Sequence, residues 1–473
     1  MEEYIKKLLE QIRFEKAHKA IGDEIRAHIE DQIEKNMSDG MDKETAEKSA
    51  VEDMGDPVGA GIELDKVHRP QMAWKMVLAI LGVGLIGTII QFFIANDTTM
   101  MYFAKQMGYV SVDSLNGYSF WLSTLVGIVI MVFVYFLDYT TIAKYSSVVA
   151  TVFMTVYLIS FLPLKLFWLI KTAGTGMDLE FSDYPQLFLL LGEIGLQMRV
   201  HNGMLLWVPL YSGIIYKYRG QGYKALFKAI FWMLFPLYYS FLNGNFVAYS
   251  VAIAVSMLIQ LSIAIKKEWI KVRKAPVLIT IWSVFFLQLV FIIRSSLAQS
   301  INVSIHMKWD QSGLVKNLVN SMYLFGGGPY KGWGDVYIKA SSFVPSPNGS
   351  FVLTYISTTW GVAAGVAVII TVVGLIVCGF MAMSKCKNQL GFVMGIGCIT
   401  WLAANTINNI LGSFGMLPYN CTYSNFLPFI SSSAMNKYSY VALGLLLSIY
   451  KYKNAYAEHV DISLRVRSKD FGG

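Results

Sequence analysis

The side chains able to do chemistry in this chain are few, and several stand beside long apolar runs. Arg294 lies near the end of one such run, where an ionised side chain is costly and either serves a function or reaches out to lipid headgroups. The following segment, residues 298–350, holds two carboxylates, Asp310 and Asp335, and places Lys331 in a glycine-rich stretch. Arginine and lysine bind phosphate, and a carboxylate can act as a base, so the pattern indicates an anionic ligand. The competing interpretation is that these are solvated loop side chains.

A second group of polar residues lies in the last quarter of the chain. Asn409 stands within an apolar run, and Ser431 ends a charge-free segment that contains Pro418 and Pro428. We expect this segment to re-enter the bilayer or to lie along it, where irregular backbone is tolerated only against protein or a wet cavity. Asn409 and Ser431 are therefore candidate substrate contacts, and hydrogen bonding between helices explains them equally well.

Neither histidine nor cysteine forms a pattern typical of a metal site. The histidines of the first 70 residues lie on charged helical faces, where a solvated side chain is the ordinary outcome. The spacing of the cysteines matches no zinc-binding motif. They are Cys378, Cys386, Cys398 and Cys421. We expect no metal and no cofactor.

The composition assigns most of the chain to lipid. Of 473 residues, 55% are hydrophobic and 15% are charged, whereas a soluble domain has about 25% charged residues. The mean hydropathy is +0.48. The net charge of +8 does not indicate nucleic acid, because the basic residues gather at the ends of apolar runs, where they set orientation against anionic lipid.

A membrane-spanning helix needs about 20 mainly apolar residues. Ten segments satisfy this requirement: residues 73–95, 118–137, 146–170, 199–217, 223–242, 244–265, 276–297, 351–381, 389–412 and 433–450. For the fourth, the apolar run 187–196 is an alternative first half of the span or an interfacial helix. With ten spans, the main basic clusters between them fall on one side, which places both termini in the cytoplasm. The predicted fold class is an all-α polytopic membrane protein with a membrane domain over 71–455, a large outer loop over 298–350 and a cytoplasmic tail over 456–473.

Residues 1–70 are predicted to form a small cytoplasmic domain of three helices. Two have apolar residues at helical spacing, and the third begins after Asp42, a favourable cap, and ends at Gly55 before Pro57. Three short helices are marginal alone, so the domain either docks on a partner or on the membrane part, or serves as a solubilising head. Its sequence resembles the permease-prefix type of domain found ahead of bacterial membrane proteins.

Several motifs in the last third of the chain occur in a specific order. Arg294 precedes a Gly-Gly-Gly-Pro-Tyr-Lys-Gly-Trp-Gly stretch at 326–334, which is followed by Gly-Met-Leu-Pro at 415–418 and Leu-Pro-Phe at 427–429. This order resembles the FtsW/RodA/SpoVE family of shape, elongation, division and sporulation proteins over residues 276–452. The resemblance implies ten spans in the bacterial cell membrane and a large loop between the seventh and eighth.

The same resemblance implies a function in peptidoglycan synthesis. Members of the family bind lipid II, the undecaprenyl-linked disaccharide-peptide precursor, and polymerise it as peptidoglycan glycosyltransferases. The implied partners are lipid II and a transpeptidase of the penicillin-binding type, and Arg294 is implied to lie in the outer cavity. Nucleic acid is not an expected partner.

The residues that the family uses as acids are replaced in this chain. With Pro345 and Phe351 aligned to the family's motif, the resemblance implies that Ser350 stands at the essential aspartate, and Thr358 and Thr359 at two glutamates. A serine hydroxyl is a poor base near neutral pH unless another group activates it. Either one of the two loop carboxylates replaces the acid, or the chain is a catalytically impaired relative.

A transporter is the competing function. A multi-span transporter or a flippase of lipid-linked precursors, with a regulatory cytoplasmic head, also has about ten spans. This alternative predicts inverted repeats and charged residues in midspan, and the sequence shows neither clearly.

Overall fold

The computed structural model describes residues 1–97, 117–172, 206–242, 247–307, 311–327, 341, 344–417, 425–432, 436–456, 458–460 and 462. These parts of the chain consist of helices and connecting turns. The helices are α1 Glu2–Leu9, α2 Glu15–Ser38, α3 Lys43–Asp53, α4 Pro57–His68, α5 Trp74–Ala95, α6 Gly117–Phe136, α7 Tyr139–Thr172, α8 Trp207–Lys217, α9 Tyr223–Leu242, α10 Val247–Lys266, α11 Lys274–Met307, α12 Gln311–Asn320, α13 Val352–Trp360, α14 Val362–Ser384, α15 Gln389–Ser413 and α16 Asn436–Lys451.

The head, residues 1–70, contains four helices, so the predicted number of three is wrong. Asp42 caps α3 as expected, by accepting a hydrogen bond from the Thr45 amide at 3.2 Å. A fourth helix, α4, then begins at Pro57 with Asp56 as its cap. Proline is favourable in the first turn of a helix, where its missing N–H has no partner to lose. The prediction treated Pro57 only as the residue that ends α3.

The described residues include a helix at each of the ten predicted positions, and residues 199–205, 244–246 and 433–435 of the predicted spans lie outside them. Four segments in the described part are long and apolar enough to cross a membrane alone, and they are Trp74–Ala95, Lys274–Ser295, Val362–Ser384 and Gln389–Ser413. Two more, Phe120–Phe136 and Tyr139–Val156, pass this test together and meet at an angle of 102°. The prediction of an all-α polytopic membrane protein is confirmed.

The eighth predicted span, 351–381, differs in the structure. It is divided at Gly361, whose φ of 98° is strained for residues with a side chain. The short helix α13 packs back along α14, since a Cβ on Gly365 would lie 2.4 Å from the Ser357 hydroxyl oxygen. Hydropathy does not detect this break because both helices are apolar, and the spanning segment of the pair is α14 alone.

The head packs against the end of the membrane domain where the chain enters α5 and leaves α16. The Gln71 amide donates to the Lys451 carbonyl at 3.0 Å, and the Phe14 ring stacks on Tyr452 with centroids 5.3 Å apart. We call this side of the molecule the head face. Helix α5 runs from the head face to the opposite face, where it ends near Asp97.

Candidate functional site

A tight turn precedes the short helix α13 and lies in the interior of the membrane domain. We call Asn348, Gly349 and Ser350 the 348–350 turn. It is stabilised locally by Ser346, whose φ is 45° and whose carbonyl accepts from the Gly349 amide at 3.0 Å. Non-helical backbone at membrane depth requires partners for its carbonyl groups, because lipid supplies no donors.

The first carbonyl of the turn is held by α5. Gln91 is 3% exposed, and its side-chain amide donates to the Asn348 carbonyl at 2.9 Å and to the Ile430 carbonyl at 2.8 Å. The Ser432 amide donates to the same Asn348 carbonyl at 2.6 Å. One side chain of the first span thus joins two segments that lie more than 250 positions later in the chain.

The other two carbonyls of the turn are held by residues near the carboxyl end of the chain. The Asn409 side-chain amide on α15 donates to the Ser350 carbonyl at 2.9 Å. The Ser431 hydroxyl donates to the Gly349 carbonyl and accepts from the Leu427 amide, both at 2.8 Å. Asn409 and Ser431 are fully buried. Three separate segments therefore converge on one turn.

The segment 425–432 that contacts the turn has its own strained geometry. Phe429 has a φ of 68°, which is uncommon for a residue with a bulky side chain. Its amide donates to the Asn436 side-chain oxygen at 2.7 Å, and its ring packs edge-on against Tyr440. A Cβ on Gly87 would lie 2.1 Å from the Phe429 carbonyl oxygen, so α5 approaches this segment at backbone distance.

A carboxylate lies close to the turn, at the end of α5. The Tyr355 hydroxyl on α13 donates to the Asp97 carboxylate at 2.7 Å. Tyr355 is buried, and Asp97 is half-buried. The Trp360 ring packs on Tyr355 and also on Phe93, one turn before Asp97. Asp97 thus stands on the face opposite the head, about one and a half helical turns beyond Gln91.

Comparison with known proteins identifies the part of the chain that builds this turn. Residues 274–455 match the model of the FtsW/RodA/SpoVE family, which is described as "Cell cycle protein". The matched segment, 182 of the 473 residues, is similar to this family. It extends from α11 to the end of α16 and contains the 348–350 turn with two of the three segments that hold it. No curated protein matches the chain.

One solved structure similar to this chain is a chain from a study titled "Structural coordination of polymerization and crosslinking by a peptidoglycan synthase complex". The two sequences are 12% identical, the TM-score is 0.45, and the match covers 81% of this chain and 99% of the other.

Thr358 and Thr359, which the resemblance places at two family glutamates, make contacts inside the protein. Thr358 is buried, and its hydroxyl donates to the Thr354 carbonyl of its own helix at 2.8 Å. Thr359 follows it near the end of α13, where a Cβ on Gly327 would lie 3.1 Å from the Thr359 carbonyl oxygen. The first glycines of the glycine-rich stretch thus pack against the end of α13.

The structure separates the predicted site residues into three groups. Asn409 and Ser431 lie together at the turn, bonded to its backbone. Arg294 is exposed on α11, which presents no buried residue in its spanning window. Lys331, Asp310 and Asp335 lie outside the described residues. In the described part of the chain, no cluster of three His, Cys, Asp or Glu side chains has the geometry of a metal site.

Two residues at this site, Gln91 and Asp97, are not among those predicted from the sequence. Gln91 contacts the turn from the first span, and Asp97 contacts the helix that follows the turn. The signal for Gln91 was a lone amide side chain in an apolar span, which is costly in lipid unless it is bonded. The signal for Asp97 was a carboxylate at the end of the same span.

Proposed function

We propose that this chain is a cell-wall synthesis protein that binds lipid II on the face opposite the head, beside the 348–350 turn. The observation that supports the proposal is the convergence of the FtsW/RodA/SpoVE signature on this turn. Asn409 and the 427–431 segment both lie in the part of the chain that matches the family, and they bond to adjacent carbonyls of the turn at which the resemblance places the family's acid.

The surroundings of the turn suit a ligand with a polar head and an apolar tail. Ser346 is exposed at the turn and Asn348 is half-buried, which gives polar atoms to a saccharide. Large apolar side chains are exposed nearby, because Leu324 and Phe325 pack their backbone against Gly361 while their side chains point outward. Burial of an undecaprenyl chain in such an environment is favourable by about 0.8 kcal/mol for each buried CH₂.

The proposed ligand is an anion and therefore requires basic side chains at its site. Lipid II carries a pyrophosphate, and an arginine or lysine forms charge-assisted hydrogen bonds to phosphate oxygens. We assign this role to Arg294 and Lys331, while Asn409 and Ser431 act by holding the turn. In this proposal the head face is cytoplasmic in a bacterial cell membrane, and a penicillin-binding-type transpeptidase is the partner that crosslinks the product.

The proposal is tested by measuring lipid II affinity of the full chain in lipid nanodiscs. Asn409→Ala removes the donor to the Ser350 carbonyl, and we expect the affinity to fall about tenfold. The matched control is Asn405→Ala on the same helix, because the Asn405 amide donates to the Trp401 carbonyl of its own helix at 2.8 Å. Its affinity should equal that of the wild type.

The competitor in this experiment is undecaprenyl phosphate, which has the same tail and no saccharide. Wild-type protein is expected to prefer lipid II. Equal binding of the two lipids, or equal affinity of the Asn409 variant and the wild type, would refute the proposed site.

A further inference from the structure

We infer that Asp97, at the end of the first span, is the carboxylate that replaces the family acid absent at Ser350. The inference rests on the proposed function, since it names the base for polymerisation of the same lipid II. It concerns a residue outside the matched segment of 274–455. The deciding contact is the hydrogen bond from the Tyr355 hydroxyl to Asp97 at 2.7 Å.

The location of the carboxylates supports this choice. In the described part of the membrane domain and tail there are three other carboxylates: Asp138, Glu268 and Glu458. Asp138 and Glu458 lie on the head face, where they accept hydrogen bonds from Tyr456 and Gln389. Glu268 adjoins Trp269, which bonds to the same Gln389. Asp97 is the described carboxylate on the face of the 348–350 turn.

The path from Ser350 to Asp97 is short and built from packed groups. Tyr355 lies five residues after Ser350, a rise of about 7 Å along a helix. Its ring is fixed by Trp360, and Trp360 is in turn packed by Phe93 of α5. Gln91 ties the same end of α5 to the turn itself. Packed contacts of α5 and α13 therefore connect Asp97 to the 348–350 turn, where the resemblance places the family's acid.

The partial exposure of Asp97 suits a group that meets substrate. Tyr355 is 1% exposed, so it acts on the carboxylate and not on the ligand. Asp97 is half-buried, which leaves part of it accessible to a ligand. Tyr355 is a positioning residue in this arrangement, since its hydroxyl fixes the carboxylate.

The step assigned to Asp97 is a proton transfer. An acceptor saccharide hydroxyl attacks the anomeric carbon of a donor lipid II, and a carbon–oxygen bond forms. The bond between that carbon and the pyrophosphate oxygen breaks, and its electron pair leaves with the undecaprenyl pyrophosphate. The hydroxyl proton passes to Asp97, which contributes as a general base.

The experiment measures lipid II polymerisation and lipid II affinity on the same preparations of full chain in proteoliposomes, alone and with a co-purified transpeptidase. Asp97→Asn is expected to lower the polymerisation rate about 10²- to 10⁴-fold while its affinity stays at the wild-type value. Asp97→Glu keeps a carboxylate and should restore part of the rate, which separates loss of the base from loss of folding.

Tyr355→Phe tests the positioning role. We expect kcat to fall about tenfold, because the carboxylate loses its orientation. KM should stay unchanged, because Tyr355 does not contact the ligand. Tyr211→Phe is the control, since Tyr211 is a buried tyrosine of α8 whose hydroxyl has no partner among the described residues. It should behave as the wild type.

The outcomes distinguish the two proposals. Wild-type protein that binds lipid II but polymerises it in neither setting overturns the role of Asp97 and leaves the proposed binding function intact. Full activity of Asp97→Asn also overturns it. Wild-type protein that does not bind lipid II refutes the proposed function, and with it the inference.

Discussion

Gln91 shows how one side chain sets the shape of this site. It is the side chain that joins α5 to both irregular segments of the opposite half of the molecule, through two carbonyl groups. A buried carbonyl without a donor loses free energy comparable to a whole hydrogen bond. The polar residues of the turn therefore serve first to allow irregular backbone at this depth, and ligand binding depends on that geometry.

We predict that Gln91→Leu destabilises the folded protein by about 1–3 kcal/mol, because it keeps the side-chain volume and removes two donors. The measurement is equilibrium unfolding of purified protein in mixed detergent micelles. Thr88→Val is the control, since the Thr88 hydroxyl donates only to the Gly84 carbonyl of its own helix at 2.9 Å. Equal stability of the two variants would show that the turn does not need Gln91.

Individual site residues were only partly predictable from the sequence. Asn409 and Ser431 stood out because amides and hydroxyls are conspicuous beside apolar runs, and the structure places both at the turn. Their hydrogen-bond partners were not predictable, because Asn409 and Ser431 bond to carbonyls that lie 59 and 82 positions away in the chain. Helical periodicity carries information over a few turns and not over such distances.

Helices α5 and α13 determine the site at the level of elements. α5 approaches the 425–432 segment at backbone distance, which only a residue without Cβ permits at position 87. α13 is separated from α14 by Gly361 and returns along it. The positions of the spans followed from hydropathy, whereas the break at Gly361 and the fourth head helix depend on backbone conformation at single residues and were missed.

The close approach of α5 gives a prediction with a matched control in the same helix. Gly87→Ala is expected to destabilise the protein by about 1–3 kcal/mol through overpacking, because its Cβ would lie 2.1 Å from the Phe429 carbonyl oxygen. Gly82→Ala has no atom within 4 Å of the added Cβ, so helix propensity alone should leave it neutral or slightly stabilised. Both are compared by unfolding in micelles, and similar losses would contradict the close approach.

At each face of the membrane domain, hydrogen bonds join segments that are distant in the chain. On the head face, the Tyr456 hydroxyl donates to Asp138, and burial together with this hydrogen bond raises the pKa of Tyr456. Phe14 of the head packs on both Tyr452 and Tyr456. A cavity of about 540 Å³ remains between the head and this tail, lined in part by His68, Lys387 and Glu458. On the opposite face, the 348–350 turn is the corresponding junction of distant segments.

The proposed lipid II site lies at the second of these junctions, and photocrosslinking tests it most directly. Lipid II with a photoreactive group on its saccharide is added to the full chain in nanodiscs, and the crosslinked peptides are mapped by mass spectrometry. We expect crosslinks within residues 344–360 and near Asp97, with excess unlabelled lipid II removing them. Crosslinks that map to the head face, or that persist unchanged with the competitor present, would contradict a lipid II site at the 348–350 turn.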